Sequence, residues 1–326
     1  MKKLIKMIFP VLFCLGGLVM LLYPWISNYL YENRADGEVS AYEEQVEKTD
    51  DSEKQEILKK AREYNNILTE SKVQLTDPFD EEEAKDNGLD YNNILNVNGD
   101  GMMGFIDIPK INVYLPVYHG TSKVVLESGI GHLEGSSLPV GGENTHTVLS
   151  GHTGLSTKKL FTDLTEIKDG DLFFLHILGD VLAYKVISVD VVEPEDTTLL
   201  SIQKDKDLAT LITCTPYGVN THRLLVTGER TEYNEKVQEE ADSEKAPTQS
   251  LWMKSYTKAI TIGLCIVVGM IVFLLILTKL CRKIKPPKTN DNNIPAGLLM
   301  GDASKDMSET SDRRKRKKRR KNKWES

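Results

Sequence analysis

Two long apolar runs interrupt an otherwise polar chain. Residues 7–31 and residues 259–278 contain no charged side chain. At about 1.5 Å per residue, a helix of either length crosses a hydrocarbon core of roughly 30 Å. The second run has no polar face, which favours a membrane span over a buried core helix.

The first run has two interpretations, an uncleaved anchor and a cleaved signal peptide. It has no small-residue cleavage site and is long for a signal peptide, which favours the anchor. Pro10 and Pro24 are expected to kink or end this helix.

Between the two runs, the hydrophobic pattern changes from helical to β. Residues 41–70 carry sparse apolar positions among Glu, Lys and Gln, which predicts one or two amphipathic helices with a break or cap at residues 50–52. Residues 71–90 lose this periodicity and predict a loop. From residue 102 onward, short apolar or alternating runs predict strands, at 105–108, 111–117, 145–150, 172–177, 181–192, 208–214 and 221–228.

These short strands predict a mainly β fold, either a barrel or a sandwich. Residues 178–180 are expected to join two strands in a hairpin, and residues 157–164 to form a short helix. Residues 234–258 are polar and predict a stalk that leads to the second apolar run.

Charge is distributed in three blocks that match the apolar runs. The net charge is +3 for residues 1–30, −20 for residues 31–258 and +10 for residues 279–326. Because basic residues stay on the cytoplasmic side, both termini are predicted inside the cell and residues 32–258 outside. The acidic middle repels phosphates and argues against nucleic-acid binding there.

Only one of the four cysteines lies in the predicted exported part. Cys14 and Cys265 fall within the apolar runs, Cys281 follows the second run, and Cys214 lies outside the cell. Cys214 therefore has no exported partner for an intramolecular disulfide. Three interpretations remain at this point: a buried inert cysteine, an intermolecular disulfide or a nucleophile.

The residues around Cys214 favour a nucleophile. Cys214 ends one predicted strand, and Arg223 starts the next one nine residues later, after a turn containing Pro216 and Gly218. If the strands pair, the thiol and the guanidinium lie close together, and Arg supplies permanently charged donors for an oxyanion.

A cysteine nucleophile also needs a base, and the chain has six histidines. His152 follows a predicted strand and lies between Gly151 and Gly154. This pattern favours His152 over His132 and His146 only weakly. The remaining histidines are His119, His176 and His222.

Several of these segments resemble a known family. Residues 210–218 (Thr-Leu-Ile-Thr-Cys-Thr-Pro-Tyr-Gly) and 221–226 resemble the active-site strand, loop and arginine of sortases, and residues 132–155 resemble the segment that bears the sortase histidine. Residues 76–79 (Thr-Asp-Pro-Phe) resemble the lid motif of the class C, pilus-assembling branch. The resemblance covers about residues 40–233 together with both apolar runs.

The resemblance implies a sortase-like closed β-barrel of about eight strands, with N-terminal helices, short connecting helices and two transmembrane helices. It implies a transpeptidase in which Cys214 is the nucleophile, His152 the acid and base, and Arg223 the oxyanion donor. Asp77, Pro78 and Phe79 are the implied lid. Asp77 is expected to pair with Arg223, and Phe79 to cover the sulfur.

The implied substrates are secreted pilins or surface proteins with a Leu-Pro-x-Thr-Gly-like sorting signal, and a pilin Lys is the implied acceptor. No cofactor or metal is implied, and no nucleic acid is expected as a partner. The basic tail, unbroken over residues 313–321, is expected to lie against anionic lipids.

Other functions remain open from the sequence: a wall-anchoring sortase, a cysteine hydrolase on the same scaffold, or a non-catalytic surface module. The predicted organisation is a cytoplasmic N-terminus (1–6), an anchor (7–31), a helical segment (32–70), a lid loop (71–90), a catalytic barrel (91–233), a stalk (234–258), a transmembrane helix (259–278) and a cytoplasmic tail (279–326).

Overall fold

Eight strands close into a barrel in the structure, a computed structural model that describes residues 2–71, 73, 75–80, 90–155, 157–243 and 251–283. The strands are β1 Met102–Ile108, β2 Val113–His119, β3 Ile130–His132, β4 Thr145–Ser150, β5 Leu172–Ile177, β6 Asp180–Val192, β7 Asp207–Thr215 and β8 His222–Thr231. The predicted closed barrel of about eight strands is confirmed. The pattern did not predict β3, whose three residues are too few to show alternation.

The strand order around the barrel is β1-β2-β3-β4-β7-β8-β6-β5, and β5 pairs back to β1. The β2–β3 and β4–β7 pairs are parallel, and the other pairs are antiparallel. The predicted hairpin joins β5 to β6. Its central residues Leu178 and Gly179 both have positive φ (52° and 92°), which suits the tight turn between twisted antiparallel strands.

Five α-helices accompany the barrel in the described part of the chain. They are α1 Lys2–Lys48, α2 Asp51–Glu70, α3 Lys123–Ser128, α4 Glu235–Ser243 and α5 Leu251–Lys283. Short 3-10 helices lie at Tyr91–Asn93, Pro109–Ile111, Thr162–Glu166 and Thr198–Leu200.

Helix α1 continues from the first apolar run into the segment that is predicted to be exported. It runs through Pro10 and Pro24, so neither proline ends the helix, and the alternative that they kink it stays a prediction. Prolines inside a helix are tolerated in apolar spans, where neighbouring groups take up the freed backbone carbonyls. The buried positions Ala35, Val39 and Tyr42 lie on one face of α1, which packs against β1 and β2.

The predicted break at residues 50–52 separates α1 from α2. The carboxylate of Asp50 accepts a hydrogen bond from the Glu53 amide at 2.9 Å and caps α2. Asn65 of α2 exchanges two hydrogen bonds with the backbone of Leu138, at 3.1 and 2.7 Å, and so docks this helix against the β3–β4 connection.

One expectation about a connecting segment needs correction. Residues 157–164 do not form a helix: Leu160 has φ 43°, which no helix tolerates, and the first helical turn is the 3-10 segment Thr162–Glu166. The predicted stalk begins with α4, whose Ala241 packs against Phe174 and Ala183 of the barrel. Residues 81–89, in the predicted lid loop, and the tail beyond residue 283 lie outside the described residues.

One helix in the described part of the chain is long and apolar enough to cross a membrane, over Tyr256–Leu277. It overlaps the second predicted span, residues 259–278. A second transmembrane helix is not confirmed, and the anchor over residues 7–31 stays a prediction.

Tyr42 ties α1 to two parts of the barrel. Its hydroxyl donates to the Met103 carbonyl at 2.9 Å and accepts from the Leu178 amide at 3.0 Å, and its side chain is 1% exposed. We expect Tyr42→Phe to lower the free energy of unfolding by about 1–3 kcal/mol, because two buried backbone groups lose a partner. Denaturant unfolding of the full chain in detergent measures this. Tyr233→Phe, at a 39% exposed position, is the control, and an equal effect in both variants would contradict the prediction.

Candidate active site

The register of three adjacent strands brings Cys214, His152 and Arg223 to one end of the barrel. Strand β7 lies between β4 and β8. On one side, Ser150 of β4 pairs with Ile212 of β7 in parallel register. His152 and Cys214 each lie two residues beyond this pair, so both follow the same ends of neighbouring strands.

On the other side of β7, Cys214 pairs directly with Arg223 of β8. The predicted proximity of thiol and guanidinium is therefore present. The hydrogen-bonded ladder between β7 and β8 continues from Leu208 to Thr215, which holds the two residues at a fixed separation. The Cys214 side chain is half-buried.

The backbone before His152 is held tightly against β7. The Gly151 amide donates to the Ile212 carbonyl at 3.1 Å, and the Thr213 hydroxyl donates to the Gly151 carbonyl at 2.6 Å. A Cβ at Gly151 would lie 2.7 Å from the Phe161 ring, so the close approach requires glycine. The Thr213 contact was not predicted, because a threonine in a strand gives no sign of its partner.

Asp77 pairs with one edge of the planar Arg223 guanidinium. Arg223 Nε donates to Asp77 Oδ1 at 2.8 Å, and the Arg223 Nη2 atom bonds Oδ2. The remaining terminal nitrogen, Nη1, donates to the carbonyls of Asn220 and His222 at 3.2 and 3.1 Å. The two side chains of the ion pair are only 10% and 12% exposed. In this arrangement every nitrogen of Arg223 already has an acceptor.

Phe79 lies between the arginine and the histidine. Its ring centroid is 5.2 Å from Arg223 Cζ and 5.7 Å from the centre of the His152 ring. Pro78 is buried in the same turn, and the Phe79 amide reaches back to Asp77 Oδ1 at 3.4 Å. The predicted lid motif thus contacts two of the three site residues, Arg223 through Asp77 and Phe79, and His152 through Phe79.

Phe79 and Leu75 also pack on a small apolar cluster on the barrel. The cluster consists of Leu133, Val148, Leu200, Ile212 and Leu225. The segment that carries Leu75 is tied down by the Thr197 hydroxyl, which donates to the Leu75 carbonyl at 3.3 Å. The motif is therefore anchored by apolar contacts as well as by its ion pair.

Burial favours the neutral form of both the thiol and the imidazole in this arrangement. Burial raises the pKa of the Cys214 thiol; the Arg223 charge opposes this effect and the Asp77 charge adds to it. Burial also lowers the pKa of His152, with Glu127 opposing and Lys158 adding. The hydrogen bonds in the described part of the chain include none between the Cys214 thiol and the His152 ring.

The other histidines weighed in the sequence have structural partners. His132 is fully buried, and its ring contacts the Tyr91 hydroxyl at 2.9 Å and the Ser137 carbonyl at 2.8 Å. His146 lies between the Ser201 carbonyl and the Thr210 hydroxyl, at 2.9 and 2.7 Å. Neither ring reaches the strand ends where Cys214 lies. Burial distinguishes His132 and His146 from His152, and the sequence does not show which histidines are buried.

No group of three or more His, Cys, Asp or Glu side chains among the described residues is arranged to hold a metal ion.

Comparison with known proteins identifies the family. A model of the sortase domain matches residues 106–231. Sortase C from Streptococcus pneumoniae, whose structure has been described with its pilin substrate specificity, is 44% identical and superposes with a TM-score of 0.55 over 60% of this chain and 96% of that one. Sortase C-1 from Actinomyces oris is 47% identical, with a TM-score of 0.52 over 55% and 97% of the two chains.

Among curated relatives, sortase D from Bacillus subtilis is 33% identical over 130 residues, which are 39% of this chain and 63% of the relative. The match thus spans less than two thirds of that relative's length. The chain belongs to the sortase family, whose members are cysteine transpeptidases, and the solved structures it resembles are class C sortases.

The position of Asp77 and Phe79 against Arg223 and His152 leads to a prediction of how fast the Cys214 thiol reacts. We expect Asp77→Ala and Phe79→Ala to speed alkylation of Cys214 by roughly five- to a hundred-fold, because the burial and contacts they remove are worth about 1–3 kcal/mol. In Asp77→Ala the rate should also reach half its maximum at lower pH, because the variant loses a charge that raises the thiol pKa.

Alkylation is measured by mass spectrometry with iodoacetamide over a range of pH. Asp80→Ala, which removes an exposed carboxylate from the same turn, is the matched control and should react like the wild type. Equal rates in all four proteins would show that Asp77 and Phe79 do not shield the thiol.

Proposed function

We propose that this chain is a membrane-anchored pilus-assembling transpeptidase. It cleaves a Leu-Pro-x-Thr-Gly-like sorting signal between Thr and Gly and transfers the new acyl group to a Lys amine of a pilin. The observation that carries this proposal is the meeting of Cys214, His152 and Arg223 at one end of three adjacent strands.

In the first half of the reaction, the Cys214 thiol gives its proton to His152 and its sulfur attacks the Thr carbonyl carbon. The tetrahedral oxyanion is stabilised by Arg223, whose planar, permanently charged group supplies fixed donors. The C–N bond then breaks, and His152 protonates the leaving Gly amine. The acyl group remains on Cys214 as a thioester.

In the second half, the acceptor amine attacks the thioester carbonyl, and His152 takes a proton from the amine. The C–S bond breaks and Cys214 leaves as thiol. The product is an isopeptide bond, so the two half-reactions exchange one amide for another without an external energy source.

Asp77, Pro78 and Phe79 act as a lid in this proposal. With the lid in place, Asp77 and backbone carbonyls occupy four of the five N–H donors of Arg223, so few remain for an oxyanion. A substrate has to displace the lid before the reaction starts. Only the open fraction of molecules binds substrate, which lowers the apparent affinity.

The apolar cluster under Leu75 and Phe79 is the place for the apolar half of the sorting signal. Its members Val148, Ile212 and Leu225 lie on outward-facing positions of β4, β7 and β8, next to Cys214. When the lid leaves, Ile212 and Leu225 lose their cover, and a Leu-Pro segment restores the burial. The same surface therefore serves the closed and the substrate-bound form.

The two apolar runs place this reaction at the membrane. In the proposed topology the anchor (7–31) and the second span (259–278) leave both termini in the cytoplasm, and the basic tail lies against anionic lipids of the inner leaflet. Substrates that are tethered in the same membrane meet the enzyme at a raised effective concentration.

Thioester formation tests the nucleophile. The full chain in detergent is incubated with a Leu-Pro-x-Thr-Gly peptide, and intact-mass spectrometry detects an adduct that ends at Thr. We expect the adduct on Cys214 in the wild type and none in Cys214→Ala, because Cys214 is the only cysteine in the exported segment. An adduct that persists in Cys214→Ala would refute the assignment.

Adding a Lys-containing peptide should give an isopeptide product, and hydrolysis alone would favour the cysteine hydrolase.

The role of Arg223 is tested by a variant that keeps its charge. Arg223→Lys retains the cation but loses the planar fork, so we expect turnover to fall by about 100-fold or more, as on removal of an oxyanion donor. Arg230→Lys on the same strand is the matched control. Wild-type turnover in Arg223→Lys would reduce Arg223 to a structural partner of Asp77.

A further inference from the structure

The turn that follows His152 depends on a residue from the first apolar run. The His152 carbonyl accepts a hydrogen bond from the Phe161 amide at 3.1 Å, which closes the segment after β4 into a loop. Leu160 has φ 43°, so the chain just before Phe161 cannot pair its amides as a helix would. The Lys159 amide therefore needs an acceptor from another part of the molecule.

Asn28 of helix α1 supplies this acceptor. Its Oδ1 atom accepts from the Lys159 amide at 2.8 Å, across a separation of 131 residues. Its Nδ2 atom donates to Glu32 Oε1, one turn further along α1, at 3.0 Å. This second bond fixes the orientation of the Asn28 side-chain amide, so that its oxygen faces Lys159. Asn28 is 6% exposed and lies on the buried face of α1 with Tyr31 and Ala35, which are 9% and 1% exposed.

Tyr31, on the same face of α1, makes a second tie to this region. Its hydroxyl donates to the Ser128 carbonyl at 2.9 Å, and the Lys158 ammonium lies 5.1 Å from its ring centre. The Lys158 ammonium also donates to the Glu127 carbonyl. Lys158 and Glu127 are the two charged residues that shift the pKa of His152. Asn28 and Tyr31 of α1 thus hold Lys159 and Ser128, which are the chain neighbours of Lys158 and Glu127.

We propose that Asn28 is a positioning residue for His152, so that the anchor helix is part of the catalytic unit and not only a tether. The inference rests on the proposed function, because it assigns a catalytic task to His152. Asn28 does not touch the reacting atoms. It holds the Lys159–Phe161 turn, and this turn holds His152 through the carbonyl of that residue.

The geometry gives a physical reason for such a device. Thr213 and Ile212 hold the backbone before His152 against β7, and the Phe161 amide holds it from behind. Displacement of a proton-transferring group by about 1 Å is enough to cost a large factor in rate. Helix α1 runs without a break from Lys2 to Lys48, so the turn is attached to the same rigid element that enters the predicted membrane anchor.

The test uses the full chain in detergent with three variants. Asn28→Leu removes the acceptor at similar size, and Asn28→Asp keeps an acceptor oxygen. Tyr118→Phe is the matched control, because the Tyr118 hydroxyl also ties the barrel to α1, at Glu38 Oε2 (2.8 Å), but from β2. Hydrogen exchange of the peptide that contains the Lys159 amide should be about tenfold faster in Asn28→Leu only.

Two further readouts separate positioning from a structural role. An NMR titration of His152 should show its pKa rising towards the ordinary value in Asn28→Leu, because the loosened turn exposes the ring. With the sorting peptide, kcat should fall about tenfold while KM stays within about twofold. Tyr118→Phe should behave like the wild type in all three measurements, and Asn28→Asp should keep the slow exchange of the Lys159 amide, because it retains the acceptor oxygen although it loses the bond to Glu32.

Unchanged exchange at Lys159 in Asn28→Leu would overturn the proposal, as would faster exchange with an unchanged His152 pKa. A fall in kcat that Tyr118→Phe reproduces would also overturn it, since the effect would then be general. If the wild type forms no thioester but the His152 pKa still rises in Asn28→Leu, the positioning of His152 is supported and the proposed reaction is refuted.

Discussion

Strand β7 is the constraint on which the site depends, because it is hydrogen-bonded to β4 on one side and to β8 on the other. His152, Cys214 and Arg223 come from three separate parts of the chain, and only this double pairing aligns them. A slip of one residue in either ladder would turn Cys214 to the other face of the sheet. The side chains that fill the barrel and fix this register therefore also fix the chemistry.

The hydrogen bonding of Arg223 explains why we expect a single carboxylate, Asp77, to have a large effect at this site. A guanidinium that is 10% exposed needs acceptors for its donors, and Asp77 supplies two of them in planar geometry. Removing Asp77 without a replacement would leave a buried charge without compensation. A tetrahedral oxyanion carries the same charge as the carboxylate, so substrate and Asp77 are alternative partners for the same donors.

Whether the sequence predicts a contact in this molecule depends on how far apart its two residues lie along the chain. The Cys214–Arg223 pairing was predictable, because one turn separates the two strands. The three-residue strand β3 and the interruption at Leu160 were not, because neither leaves a periodic pattern. The Asp77–Arg223 contact spans 146 residues and followed only from the family resemblance. The Asn28–Lys159 bond spans 131 residues and left no trace in either pattern or resemblance.

In the proposed mechanism, displacement of Asp77 and Phe79 changes the reactivity of Cys214 as well as its accessibility. Burial and the Asp77 charge both raise the thiol pKa, while Arg223 lowers it. When Asp77 leaves, the effect of Arg223 remains and one opposing charge is gone, so the thiolate becomes easier to form at the moment when the sulfur is uncovered. Withdrawal of the Phe79 ring likewise exposes the His152 imidazole to water and raises its pKa. A single movement therefore frees the oxyanion donors, favours the thiolate and favours the imidazolium.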